Sequence, residues 1–264
     1  MALAVQQNRS RFVTYIAIFT ALAAIFDAIP IIPGLYSGIW ASWLFLFHPL
    51  IGVLLGPIYG AISVGFGSLL GHFIYYRDPF EFLFMLGAAF GAACTALVYQ
   101  RRWKPVLVFY TLLLIGYFLS PVSWLLPLIG IWDILLGYLI LLLFSLLRAR
   151  QWWPSNPTRS QWLGLLFAVV IGLEADILLR VFILIPGQAY WLFYGWTPEF
   201  LQFLWLTAGI ITPTKVAIAT LFTVTLGYSL LQILPRLGVP PTSDFEAQRS
   251  PLYKTKQGRH NDDV

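Results

Sequence analysis

Residues 161–185, QWLGLLFAVVIGLEADILLRVFILI, form a largely apolar run that carries Glu174, Asp176 and Arg180 in its second half. An apolar run of about 18–25 residues has the length that a helix needs to cross the hydrocarbon core of a bilayer. Seven comparable runs lie at 12–32, 38–55, 57–76, 80–100, 105–120, 123–147 and 201–234. Lipid offers the backbone no hydrogen-bond partners, so each run is expected to be a helix. The sequence therefore predicts an all-α fold, a polytopic transmembrane helical bundle of about eight spans.

The composition excludes several other classes of protein. Hydrophobic residues make up 59% of the chain and charged residues 10%, whereas a soluble domain has about 25% charged residues. The net charge of +5 comes from basic clusters between apolar runs, a pattern of membrane topology rather than of nucleic-acid binding. The single cysteine, Cys94, excludes an internal disulfide. We assign no catalytic residue, metal site or cofactor.

The distribution of basic residues predicts the orientation. Of the 16 Lys and Arg residues, Arg77 alone falls outside if the N-terminus is cytoplasmic, and Arg180 and Lys215 lie within spans. Basic residues favour the cytoplasmic side, so both ends are predicted to be inside. We expect a cytoplasmic N-terminus at 1–11, one transmembrane domain at 12–234 and a disordered cytoplasmic tail at 235–264.

Ionisable residues inside the spans are the candidates for function, because a charge at the bilayer centre costs about 2.5–3.5 kcal/mol on insertion scales. Asp176 and Arg180 are four residues apart and are expected to pair on one helix face. Glu174 must face elsewhere, towards Lys215, His72 or a ligand. We predict a substrate pocket near the outer surface, and the alternative is mutual neutralisation that fixes helix packing. The predicted pocket residues are Asp27, His72, Asp133, Glu174, Asp176, Arg180 and Lys215; His48 lies deeper.

The segment Thr212-Pro213-Thr214-Lys215 interrupts the last run, which is too long for one crossing. Proline is favoured at the first position of a helix, and threonine is an acceptable cap. A helix that starts at Pro213 would present free N–H groups beside Lys215 and could bind an anion. The alternative is a plain proline kink with the Lys215 side chain snorkelling outward.

Three segments carry a resemblance to a known family. Residues 17–30 contain two pairs of alanines four residues apart, Ala17 with Ala21 and Ala24 with Ala28; residues 52–61 read GVLLGPIYGA, and 213–220 read PTKVAIAT. These segments resemble the S components, the substrate-binding membrane subunits, of energy-coupling factor (ECF) transporters. The resemblance covers 12–100 and 161–234, and the hairpin at 105–147 is additional to the usual six spans.

The resemblance implies a subunit of the cell membrane that captures a vitamin-like micronutrient at the outer side. Its four alanines would dock on a transmembrane coupling subunit, and small residues suit that role because they let helices approach closely. The chain has no G-x-x-x-x-G-K-[ST] motif, so cytoplasmic ATPases would have to drive transport. The alternatives are an intramembrane enzyme that uses Glu174, His48 or His72, and a carrier that works alone.

Overall fold

The computed structural model describes residues 2–31, 42–76, 79–152, 154 and 156–233, with side chains from residue 13 onward except that of Pro157. Arg77 and the predicted tail at 235–264 lie outside the described residues. The described residues form helices and turns, apart from an isolated bridge between Pro30 and Ser42. The α-helices are α1 (Ala2–Ala28), α2 (Leu44–Ile74), α3 (Met85–Tyr99), α4 (Trp103–Leu119), α5 (Trp132–Ala149), α6 (Pro157–Leu184), α7 (Ala189–Leu192) and α8 (Pro198–Ile233).

Helix α2 folds back on itself at Gly56. This glycine has φ 80° and ψ 176°, outside the helical region, which glycine adopts at little cost. A Cβ atom built on Gly60 would lie 2.9 Å from the Cα of Gly52. Residues eight apart in a straight helix are separated by about 12 Å, so the two arms run antiparallel. We call them α2a (residues 44–55) and α2b (residues 57–74). The turn predicted at Gly56-Pro57 is present.

Four described helices are long and apolar enough to cross a membrane: Leu44–Ile74, Pro79–Tyr99, Trp132–Ala149 and Pro198–Ile233. Two shorter apolar helices are Val13–Ala28 and Trp103–Leu119. The chain is therefore an all-α membrane protein. The arm α2a is about 18 Å long, less than the ~30 Å hydrocarbon core of a bilayer. The count of eight spans and the inward ends remain predictions.

Small residues set how closely the helices pack. A Cβ atom on Gly67 or Gly71 of α2b would overlap α1 at Ala23 or Asp27. The arm α2a meets α3 where Gly52 touches the backbone of Ala92. Helix α3 in turn lies against α6, where Gly91 faces the carbonyl of Gly172. These contacts place α2, α3 and α6 side by side at the centre of the bundle.

The hairpin at 105–147 is an integral part of the bundle. Its helices α4 and α5 pack against α6, and Tyr110 and Phe144 are fully buried there. The Tyr110 hydroxyl donates a hydrogen bond of 2.8 Å to the carbonyl of Ile134 and so joins α4 to α5. The hairpin completes the hydrophobic core around α6.

The predicted helix start at Pro213 is wrong. Helix α8 runs unbroken from Pro198 to Ile233 with Pro213 inside it. Proline has no N–H, so the carbonyl four residues earlier, that of Gly209, loses its helical donor. The indole Nε1 of Trp132 in α5 donates to that carbonyl at 2.8 Å instead. The helix therefore continues through the proline, and no helix begins at Pro213 that could bind an anion at its N-terminus.

The bond from Trp132 predicts a thermodynamic coupling with Pro213. Trp132→Phe removes the donor and should lower the free energy of unfolding in detergent by about 1–2 kcal/mol. In a Pro213→Ala background the restored N–H of residue 213 can bond the Gly209 carbonyl. Trp132→Phe should therefore lower the free energy of unfolding much less in that background. The measurement is a double-mutant cycle from equilibrium unfolding.

Trp124→Phe is the matched control, because Trp124 is 77% exposed and donates to a carbonyl at the surface. Trp124→Phe should change the free energy of unfolding little, whether residue 213 is proline or alanine. If Trp132→Phe lowers the free energy of unfolding equally with and without Pro213, the coupling is absent and the account is contradicted.

Candidate functional site

A polar cavity lies between α2a, α3, α6 and α8. Its ionisable lining residues are His48 from α2a, Asp176 and Arg180 from α6, and Lys215 from α8. Ser42, just before α2a, and Thr212 add hydroxyl groups, and Phe45, Ala88 and Val216 supply apolar wall. The cavity thus combines charged and hydroxyl groups from three separate helices.

Two glycines of α3 make room for the charges. Arg180 Nε donates to Asp176 Oδ1 at 2.6 Å, which confirms the predicted pairing one turn apart. A Cβ atom on Gly87 would overlap Asp176 Oδ1, and one on Gly91 would lie 2.9 Å from His48 Nε2. Larger residues at these positions would fill the space that the ion pair and the imidazole occupy.

His48 is fully buried, and its Nε2 atom has no hydrogen-bond partner among the described residues. The nearby Asp176 Oδ2 is 3.9 Å from Nε2, which is beyond hydrogen-bond distance. A buried polar group without a partner costs about 1–3 kcal/mol. The imidazole therefore has a free position for water or for a ligand in the cavity.

The charged lining residues are two cations and one carboxylate. Asp176 and Arg180 form a close ion pair, and Lys215 adds a second positive charge to the cavity lining. Lys215 Nζ lies 4.8 Å from the centroid of the Phe45 ring, a cation–π contact that holds the side chain at the cavity wall. This charge balance suits an anionic group.

The cavity is small. About 40 Å³ is available to the centres of water molecules, enough for a few waters, since one needs about 10–15 Å³. A carboxylate-sized group fits this space. A molecule of vitamin size would need the surrounding helices to move apart.

Asp27 and His72, which were predicted to line the same pocket, form a separate cluster. His72 Nδ1 lies 2.7 Å from Asp27 Oδ2, and His72 Nε2 lies 3.6 Å from Glu81 Oε2. All three side chains are buried. Ser42 donates to Asp27 at 3.0 Å and links this cluster to the polar cavity. The cluster ties α1, α2b and the 3₁₀ turn Pro79–Leu83 together, as expected for charges that fix helix packing.

Asp133 and Glu174 also lie away from the polar cavity. Asp133 accepts hydrogen bonds from the backbone N–H of Ile134 and the hydroxyl of Thr212. Glu174 packs against Gly137 of α5, and within the described residues it forms no ion pair with Lys215 or His72. The expectation that Glu174 pairs with Lys215 or His72 is therefore wrong. A ligand is the remaining expected partner of Glu174.

The four alanines of α1 do not share one environment. Ala17 and Ala21 are exposed and Ala28 is partly exposed. Ala24 is buried, with its backbone against Gly67 and Gly71 of α2b. Ala24 is therefore unavailable to a partner, while Ala17 and Ala21 are accessible on the bundle surface.

Sequence reasoning missed Glu81 and the hydroxyl groups of Ser42 and Thr212. Glu81 is the second residue of the apolar run 80–100, next to the charged residues 77 and 78, and a charge at the end of a span needs no special reason. Serine and threonine are frequent in membrane helices, so neither hydroxyl stands out. The signal available for the cavity is the four-residue spacing of Gly87, Gly91 and Thr95, which is typical of a close helix contact.

The fold and the cavity define an α-helical membrane protein with a buried polar site. Comparisons of the chain with protein-family models, with curated proteins and with solved structures find no match.

The contact between Asp27 and His72 predicts that their contributions to stability are coupled. Asp27→Asn and His72→Phe should each lower the free energy of unfolding in detergent. The double variant should lose less than the sum, by about 1–3 kcal/mol, because each single change already breaks the pair. Additive losses in the same unfolding assay would show that the pair does not hold α1 to α2b.

Proposed function

We propose that this chain is the substrate-capture subunit of an importer in the cell membrane, and that it binds a small vitamin-like molecule through an anionic group in the polar cavity. The observation that carries the proposal is a cavity lined by two cations and one carboxylate in which His48 Nε2 has no hydrogen-bond partner among the described residues. His48 is fully buried in a membrane protein, where a polar group without a partner is costly. A bound anion would bond to His48 Nε2 and lie beside the cationic side chain of Lys215.

The proposed ligand has one anionic group and a body that lies beyond it. Lys215 would contact the anion, and His48 would bond to it through Nε2. Arg180 is held by Asp176 and would orient the site rather than carry the charge of the ligand. Because the closed cavity admits only a carboxylate-sized group, the rest of the ligand binds as the helices separate at the end marked by Ser42.

Transport would require partners, because the chain has no nucleotide-binding motif of the P-loop type. We propose that a transmembrane coupling subunit docks on the exposed small residues Ala17 and Ala21 of α1. Cytoplasmic ATPases bound to it would then drive release. This assembly is the one that the resemblance to ECF S components implies.

An enzyme built on Glu174, His48 and His72 has less support. His48 lies in the polar cavity, His72 between Asp27 and Glu81, and Glu174 beside Gly137. Three separate environments do not provide an acid and a base within reach of one substrate.

Binding tests the proposed role of Lys215. Organic anions of vitamin size, such as nicotinate, pantothenate and biotin, would be screened by thermal stabilisation of the purified protein, and the Kd of the best binder measured by calorimetry. Lys215→Met should raise that Kd about tenfold or more, equivalent to about 1.4 kcal/mol. Lys215→Arg should retain much of the affinity.

The matched control is Lys104→Met, the same substitution at an exposed lysine near the start of α4. Its Kd should equal that of the unmodified protein. An unchanged Kd in Lys215→Met would refute the anion site.

Docking predicts a different phenotype for the surface of α1. Ala21→Trp should leave the Kd for the ligand unchanged but reduce co-purified ATPase activity from native membranes about tenfold, because a bulky side chain prevents close helix approach. Leu112→Trp on α4, another exposed apolar position, is the control and should keep the activity. Equal ATPase activity in both variants would exclude this face as the docking surface.

A further inference from the structure

A second and larger hollow lies between α5, α6 and α8, on the far side of Val216 from the polar cavity. We call it the lateral groove; its walls include Leu136 and Gly137 of α5, Trp162 and Glu174 of α6, and Ala217 and Leu221 of α8. Its volume is about 350 Å³, within the range of about 300–1,000 Å³ that is typical of ligand pockets. The groove is therefore large enough for a small amphiphile.

The groove opens on the apolar outer surface of the bundle. Leu136, Trp162 and Leu221 at its walls are 45%, 45% and 73% exposed, respectively. In a membrane protein this surface is in contact with lipid, so a ligand would reach the groove from the bilayer. The apolar walls favour a hydrocarbon chain as its main occupant.

Two buried polar atoms in the groove have no partner. Glu174 is only 3% exposed, and its Oε2 has no hydrogen bond within the described residues. The hydroxyl of Thr220, 8% exposed, likewise has none. Tyr110 lies close to the same spot, but its proton is donated to the Ile134 carbonyl and is not available to Glu174. The polar end of the groove thus contains a carboxyl oxygen without a donor and a hydroxyl group that can both donate and accept.

The charge of this polar end selects the head group. Asp133 and Glu174 are the ionisable residues that line the groove, and no Lys, Arg or His belongs to its described lining. Both oxygens of Asp133 already accept hydrogen bonds, from Ile134 and Thr212. Glu174 is thus the acceptor without a donor. An anionic head group would be repelled by the two carboxyl groups, whereas an amine supplies both donors and a compensating charge.

We propose that the lateral groove binds a lipid-soluble amine whose hydrocarbon chain lies along α5 and α8 and whose amine head bonds to Glu174 and Thr220. This site is separate from the capture site of the proposed function. The two sites share Val216 but use different polar side chains, and the head group in the groove has the opposite charge.

Photolabelling in phosphatidylcholine vesicles tests the proposal. The probe is dodecylamine with a diazirine on its chain, and the labelled residues are mapped by peptide mass spectrometry. Labels should fall on the groove-facing residues of α5 and α8. Excess dodecylamine should suppress them, whereas dodecanol and dodecanoate, which have chains of the same length, should not.

Two variants separate the head-group contact from the space for the chain. Glu174→Gln keeps the size of the side chain and should lower labelling about tenfold, the value of a charge-assisted hydrogen bond. Ala217→Trp fills the groove from an exposed position and should abolish labelling. Glu199→Gln, the same substitution at an exposed carboxylate, should leave it unchanged.

Labels outside the groove, or labelling that persists in Ala217→Trp, would overturn the site. Suppression by dodecanol as strong as that by dodecylamine would overturn the amine specificity. Because Ala217 is exposed and contributes no buried packing, its result decides the question even if Glu174→Gln fails to fold.

Discussion

The close approach of α3 to α6 is the constraint on which the polar cavity depends. Gly87 and Gly91 present bare backbone to α6, and any Cβ atom there would overlap Asp176 or crowd His48. Association of helices in lipid depends on van der Waals packing, so small residues determine where helices can touch. The same contact that joins the helices therefore creates the space in which the ion pair of Asp176 and Arg180 is buried.

The buried polar groups fall into three kinds of environment. Asp27 and His72 form a closed contact that holds helices together. The polar cavity contains two cations, one carboxylate and, within the described residues, an unpartnered His48 Nε2. The lateral groove contains Glu174 Oε2, which has no donor among the described residues. The first environment accounts for helix packing, and the other two are the binding sites that we propose.

Features that depend on spacing along one helix could be predicted, and those that depend on contacts between helices could not. Hydropathy located the helices, and the four-residue spacing of Asp176 and Arg180 predicted their pair. The uninterrupted α8 was not predictable, because the donor that replaces the missing N–H of Pro213 comes from Trp132, 81 positions earlier in the sequence. The predicted partners of Glu174 were wrong for a similar reason. Packing sets the rotation of α6 about its axis, and this rotation turns Glu174 towards α5.

The most direct test of the anion site is a crystal structure of the protein soaked in bromide, with anomalous scattering used to locate the ions. The account predicts a bromide peak in the polar cavity, in contact with Lys215 and facing the ring of His48. A cavity without bromide, in which Lys215 instead pairs with Asp176 and the imidazole bonds to a protein group, would contradict it.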